Sequence, residues 1–300
     1  MMIIMRFFVP VFLILFAAVH IEIIGLEIAP QVSKTAVAGN GINKIETAAQ
    51  KIESPKTTSD LVKLLGNRSK WFTYRNAPII KRLPDDFSKI AAGYRKRVFI
   101  AAILPLAVVV KKQFDTEHQY VIDMRNKIRR NAAINSSEKE KLDRMFYRYK
   151  IKRGSLRQKI NKLWVRTGSV PISLILAQAA IESNWGASRF TIKGNNLFGI
   201  RTYSSRGMRP RDCSDCGQEF RVVAYKNLES SIRSYIINFN TGWAYKELRK
   251  TRSAMYPNDN PYIFADKLIY YSIKRNDYIR TVKNIIGRNN FERFDKNHST

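Results

Sequence analysis

The chain has 300 residues, 45% hydrophobic and 26% charged, which is enough apolar material for one large core or two small ones. Fifty-three Lys and Arg against twenty-four Asp and Glu give a net charge of +29, a balance that bears on partners (nucleic acid, anionic membrane, acidic polymer) and not on fold. No RNA-binding aromatic signature and no zinc-finger spacing specifies a nucleic acid, and three scattered histidines with two cysteines call for no metal or organic cofactor.

Residues 1–28 read as either an export signal or a signal anchor. Met1–Arg6 carries one positive charge, Phe7–Val19 is apolar, and no close small-x-small cleavage site follows. Arg6 before the segment and acids after it favour an inside amino end. The remainder is then expected outside the membrane, soluble after cleavage or held at the membrane through residues 7–28. Residues 29–60, rich in Lys, Thr, Ala, Ser and Gly, predict a flexible linker.

A helical region is expected over 61–165. Asp85-Asp86 predicts the cap of a helix running to about Arg130, followed by helices over Glu138–Lys152 and Leu156–Trp164. Val98–Val110 is apolar but too short to span a bilayer, and it contains Pro105; it predicts a buried helix packed against the next domain.

The most informative run is Pro171–Ile181, apolar apart from Ser173 and Gln178, which predicts a helix buried on every side. Pro171 suits its first turn and Gly186 its end. Glu182 closes the run. A carboxylate there is costly to keep charged, so burial should raise its pKa and hold it as a proton donor. Gly194-Asn195-Asn196 signals a turn. Strands are expected over Phe198–Tyr203 and Glu219–Tyr225, joined by a loop in which Cys213 and Cys216 read as a small disulfide clip. Asn227 predicts the cap of a helix over Leu228–Phe239. Short helices follow over Trp243–Lys250, Ile263–Ile273 and Asp277–Ile286, and then a tail, 291–300. The whole is mainly α: a lysozyme-like α+β domain over 166–290 with a small β-hairpin lobe, preceded by a helical region.

Val170-Pro171-Ile-Ser-Leu-Ile-Leu-Ala-Gln-Ala-Ala-Ile-Glu182-Ser-Asn-Trp-Gly186, then Ser188-Arg189-Phe190 and Gly194-Asn-Asn-Leu-Phe-Gly199, resembles the signature of glycoside hydrolase family 73. These are peptidoglycan endo-β-N-acetylglucosaminidases, and the Bax-like branch of Gram-negative bacteria is the nearer resemblance, which implies the periplasm, soluble or held at the inner membrane through residues 7–28. Upstream Lys96–Leu106 and downstream Ser231–Tyr235, Asn238–Thr241 and Tyr245–Arg249 extend it over about 84–287. The branch usually carries Trp-Cys after the motif's last Gly, where this chain has Ile200-Arg201-Thr202.

The resemblance implies hydrolysis of the β-1,4 bond after N-acetylglucosamine in peptidoglycan glycan strands, with Glu182 as general acid. It implies Trp185, Asn195, Asn196 and Phe198 as wall and loop residues, and active-site tyrosines at Tyr245 and Tyr278. Two routes stay open for the second catalytic group. One is a carboxylate, with Glu219 ahead of Asp212 and Asp215; the other is attack by the substrate's own acetamido group, with Tyr245 stabilising it. Two rivals share the sequence features: a lysozyme or lytic transglycosylase acting on the neighbouring bond, and a wall-binding protein without turnover.

Overall fold

The computed structural model describes residues 52–66, 77–205, 207–210 and 220–296. Two two-residue strands open it: β1 (Ile52–Glu53) pairs in parallel with β2 (Ile79–Ile80). Between them lies α1 (Thr58–Leu65), closed by a reciprocal capping box of Thr57 and Asp60. The linker expected over 29–60 is therefore corrected at its end, because residues 52–60 are built into this unit. Asp86 also plays a different part from the expected one. It accepts from the backbone N and the Oγ1 of Thr58, both at 2.9 Å, and so ties α1 down.

The long helix α2 (Ala92–Arg129) starts only after a 3-10 turn at Phe87–Lys89. It runs through Pro105 for 38 residues, about 57 Å at 1.5 Å per residue. Burial of Val98–Ala107 against neighbouring elements holds it across the proline. Among the described residues no helix is long and apolar enough to cross a membrane.

Next come α3 (Ser136–Arg148) and α4 (Leu156–Arg166). α3 starts at Ser136, two residues before the expected Glu138, because Asn135 and Glu138 form its capping box. It stops at Arg148, short of Lys152, and Lys150 turns left-handed at φ 55°. α5 (Ile172–Glu182) and α6 (Arg189–Gly194) follow. The hairpin is β3 (Arg201–Thr202) antiparallel to β4 (Arg221–Val222), shorter than the sequence suggests, with a bridge from Met208 to Val222. The expected Cys213–Cys216 clip, Asp212, Asp215 and Glu219 lie outside the described residues.

α7 (Leu228–Thr241) is capped by Asn227, as the sequence predicts. A 3-10 turn, Trp243–Tyr245, leads into α8 (Lys246–Met255). The helix expected over Ile263–Ile273 is instead the short α9 (Pro261–Asp266), capped by Asn260 and followed by turns that bury Leu268 and Tyr271. α10 (Asn276–Arg288) closes the set. The stretch expected as the start of a tail packs too: Phe291 and Phe294 are buried on a 3-10 turn against α5.

Two cores result. The larger surrounds α5, with α2, α7, α9 and α10 as its walls. The smaller one, built from Val121, Met124, Leu142, Phe146, Ile160 and Leu163 among others, joins the end of α2 to α3 and α4. α2 belongs to both.

Candidate functional site

Helix α5 is apolar on every face, so it can only sit at the centre, and Ile172–Ala180 are all buried. Its N-terminal cap residue is Pro171, whose ring has no polar atom to cap with. The cap comes from 122 residues away: Asp295 accepts from the backbone N of Ser173 at 3.0 Å and from its Oγ at 2.5 Å. Burial pushes the Asp295 carboxyl up to about 6 against these hydrogen bonds.

The helix ends sharply. Asn184, Trp185 and Gly186 have φ of 50°, 55° and 79°, three consecutive left-handed residues. The Trp185 N–H reaches back to the Ala180 carbonyl at 2.8 Å, and the Gly186 N–H donates to Ser183 Oγ, also at 2.8 Å. A Cβ on Gly186 would lie 2.7–2.9 Å from Leu83, Phe99 and Phe87, so only glycine fits. This turn leaves Glu182, the last helical residue, at the edge of the core.

Glu182 is densely surrounded yet keeps part of its surface exposed, at the edge of the core. Burial pushes its carboxyl up to about 7, and a hydrogen bond from Tyr278 pulls the other way. Among the described residues no Lys or Arg pairs with it, although the chain has 53 of them. Tyr278 Oη donates to Glu182 Oε1 at 2.7 Å. Behind it Gln178 Nε2 donates to Tyr278 Oη at 3.0 Å, and Tyr235 Oη donates to Gln178 Oε1 at 2.5 Å. The relay Tyr235–Gln178–Tyr278 thus fixes one carboxyl oxygen, while Oε2 has no partner among the described residues. Gln178 is one turn before Glu182 on the same helical face.

Four tyrosines feel the Glu182 charge: Tyr235, Tyr245, Tyr271 and Tyr278. Burial and that charge hold every one of these phenols above its ordinary range, so all stay neutral hydroxyls, able to donate hydrogen bonds, at any working pH. Tyr271 stacks on Tyr278 at 5.1 Å, and Phe239 meets Tyr235, Tyr245 and Tyr271 edge to face.

Tyr245 and Tyr278, expected from the sequence, are therefore gathered with Glu182. Trp185 and Phe198 pack into the core, as Tyr245 and Tyr278 do. Trp185 is 8% exposed, with its ring edge-on to Phe99 and beneath Lys96 Nζ. Phe198 is 1% exposed and stacks on Tyr235 at 4.0 Å. Asn196 shapes the loop: its amide donates to the Ile200 and Val223 carbonyls, and its Oδ1 accepts from the Phe198 and Ile200 N–H groups. Asn195, left-handed at φ 51°, donates to the Tyr225 carbonyl; its buried Oδ1 has no partner among the described residues. Gln178, Tyr235 and Tyr271 are the members of the cluster that the sequence did not single out as site residues. Gln178 was legible as a polar interruption one turn from Glu182; Tyr271 left no such signal. Among the described residues no group of three or more His, Cys, Asp or Glu could hold a metal ion.

Residues 157–291 match the family model Glucosaminidase, described as mannosyl-glycoprotein endo-beta-N-acetylglucosaminidase. The chain is also similar to Protein bax of Escherichia coli (strain K12), 27% identical over 211 residues that cover 68% of this chain and 73% of that protein. No solved structure matches. The matched segment holds the buried helix, its terminal carboxyl, the hairpin and the tyrosine cluster, and residues 157–291 are thus a domain of the glucosaminidase family of glycoside hydrolases.

Proposed function

We propose that the chain hydrolyses the β-1,4 bond after N-acetylglucosamine in peptidoglycan, outside the inner membrane, with Glu182 as general acid. The observation that carries this reading is a carboxyl with no ion-pair partner among the described residues, raised to about 7 by burial, whose Oε1 is held by Tyr278 while Oε2 has no partner among those residues. A structural acid would be expected to sit against a Lys or Arg. A proton donor needs this environment, because a glycosidic oxygen leaves well only when protonated.

In the forward step Glu182 gives its proton to the glycosidic oxygen as the C1–O bond breaks. For the second group we take the acetamido route, a reading supported by the influence of the Glu182 charge on the Tyr245 hydroxyl. The acetamido oxygen of the substrate closes on C1, and Tyr245 donates to that group. The Glu182 carboxylate then takes a proton from water, which opens the ring with net retention. Asn196 and Phe198 hold the loop, and Trp185 anchors the turn.

The test uses purified sacculi, borohydride reduction of the products and mass spectrometry, with Glu182→Gln beside the unmodified chain. New reduced N-acetylglucosamine ends that vanish in the variant are expected. Reduced muramic or 1,6-anhydro ends would move the enzyme to the neighbouring bond, and no new ends with sacculi still bound would leave a wall-binding protein. Tyr245→Phe should lower turnover at least tenfold, about 1.4 kcal/mol of barrier. An equal loss in Glu219→Gln, with Tyr245→Phe active, would restore the carboxylate route.

A further inference from the structure

Fifteen Lys and Arg and only three Asp and Glu fall between Arg125 and Arg166, so +12 of the net +29 lies in 42 of 300 residues. All three acids already have partners: Glu138 with Lys127, Glu140 with Arg144 and Asp143 with Lys159. From Arg144 to Ile181 the sequence has no acid at all. The excess concentrates at the α3–α4 corner, where Lys150, Lys152, Arg153 and Arg157 are exposed and have no carboxylate partner among the described residues. The corner is a fixed shape. Arg166 donates to the Tyr149 and Lys150 carbonyls and Lys162 to the Arg153 carbonyl, adding two more cations beside the exposed four.

This arrangement works against local stability. Arg157 stands in the first turn of α4, the positive end of the helix dipole, where an acid is favoured; that turn has no acid, and Gln158 completes the Ser155 capping box. Four neighbouring unpaired cations also repel one another.

We propose that the α3–α4 corner is an exosite for the anionic peptide stems of peptidoglycan, binding a strand whose glycan is cut at Glu182. The proposal rests on the substrate assigned above. Each stem carries free carboxylates at intervals along the glycan, which is the complement of a rigid cluster of unpaired cations. An inserted membrane contact has little to insert, because the apolar faces of α3 and α4 (Leu142, Met145, Phe146, Ile160, Leu163) fill the smaller core and leave Tyr147 and Leu156 as the large apolar side chains exposed on these two helices. α2 runs from that core to the wall of α5, so the corner and Glu182 are parts of one frame.

The test is the triple variant K152E/R153E/R157E in the full chain. Sacculus co-sedimentation at about 0.15 M salt should fall about tenfold, and binding of the unmodified chain should fall with added salt. Cleavage of insoluble sacculi should fall in parallel, while cleavage of soluble glycan oligomers stripped of their stems stays within about twofold. The melting temperature should hold or rise, because R157E replaces a cation by an acid at the positive end of the α4 dipole. Unchanged sacculus binding by the triple variant overturns the exosite. So does tighter binding of the unmodified chain to phosphatidylglycerol–phosphatidylcholine vesicles or to duplex DNA than to sacculi. If the unmodified chain cleaves neither substrate, the hydrolase reading fails, and the co-sedimentation comparison still decides the exosite.

Discussion

Glu182 has two opposing influences on its proton: burial, which raises its pKa, and the Tyr278 hydroxyl, which stabilises the anion. Burial wins, so activity that needs the protonated acid is expected to fall as pH rises through about 7. Tyr278→Phe removes the anion's donor. It should move this limb to higher pH while lowering kcat, because Oε1 loses its anchor; a limb that stays in place would show that Tyr278 does not set the titration. Stability follows the same proton. The folded-state pKa lies above the ordinary carboxylate value, so the contribution is complete below that value and disappears as pH rises through about 7. Asp295, raised to about 6, works in the same direction over part of the window. Glu182→Gln should therefore flatten the fall in melting temperature between about pH 4.5 and 7 and leave the Asp295 part. At pH 8 the variant should be more stable by roughly 1–3 kcal/mol, discounted for the acid's partial exposure.

At the scale of elements, α5 is the part the sequence declared most clearly, because a helix apolar on all sides has only one place to go. Its end was legible as well: Gly186 fits no other side chain, and Gly186→Ala should destabilise by about 2–4 kcal/mol through both the clash and the left-handed backbone. Its beginning was not legible. Pro171 gave no cap, and nothing local in the sequence announces a carboxyl supplied from residue 295. Asp295→Ala should cost about 1–2 kcal/mol in chemical unfolding, against little change for an exposed mid-helix acid such as Asp123→Ala. Trp185 illustrates the same limit from another direction. Its residue type suits sugar stacking, but its φ of 55° turns the ring onto Phe99, and periodicity cannot foresee a backbone reversal. The turns after α9 that bury Tyr271 escaped for a related reason, since residues 263–273 have the composition of a helix and only the site they pack under bends them away from it.

For the whole molecule the decisive feature is that two cores share one helix and one buried cation. Arg252 of α8 is enclosed and donates to the carbonyls of Val165, Gly168 and Ser169 and to Asn240 Oδ1. Burial lowers its pKa to about 10, which leaves it charged at neutral pH. The same burial, with Arg252 nearby, pushes His118 down to about 4, so that ring is neutral and bonds to Thr167 at 2.8 Å. These contacts hold the α4–α5 connection, the only covalent route besides α2 between the smaller core and the site. Arg252→Met would leave the Val165 and Ser169 carbonyls without this donor, while Gly168 keeps the Asn240 amide. A loss of about 3–5 kcal/mol is expected. The smaller core has fewer buried side chains, so its amides should exchange through an opening of lower free energy than those of α5. Hydrogen exchange can read both effects together. In the unmodified chain residues 136–166 should exchange before 172–182. In Arg252→Met the first group should lose protection far more than the second, while the pH limb of activity set by Glu182 stays in place. Equal loss in both groups would mean that the two cores unfold as one and that Arg252 stabilises the frame as a whole.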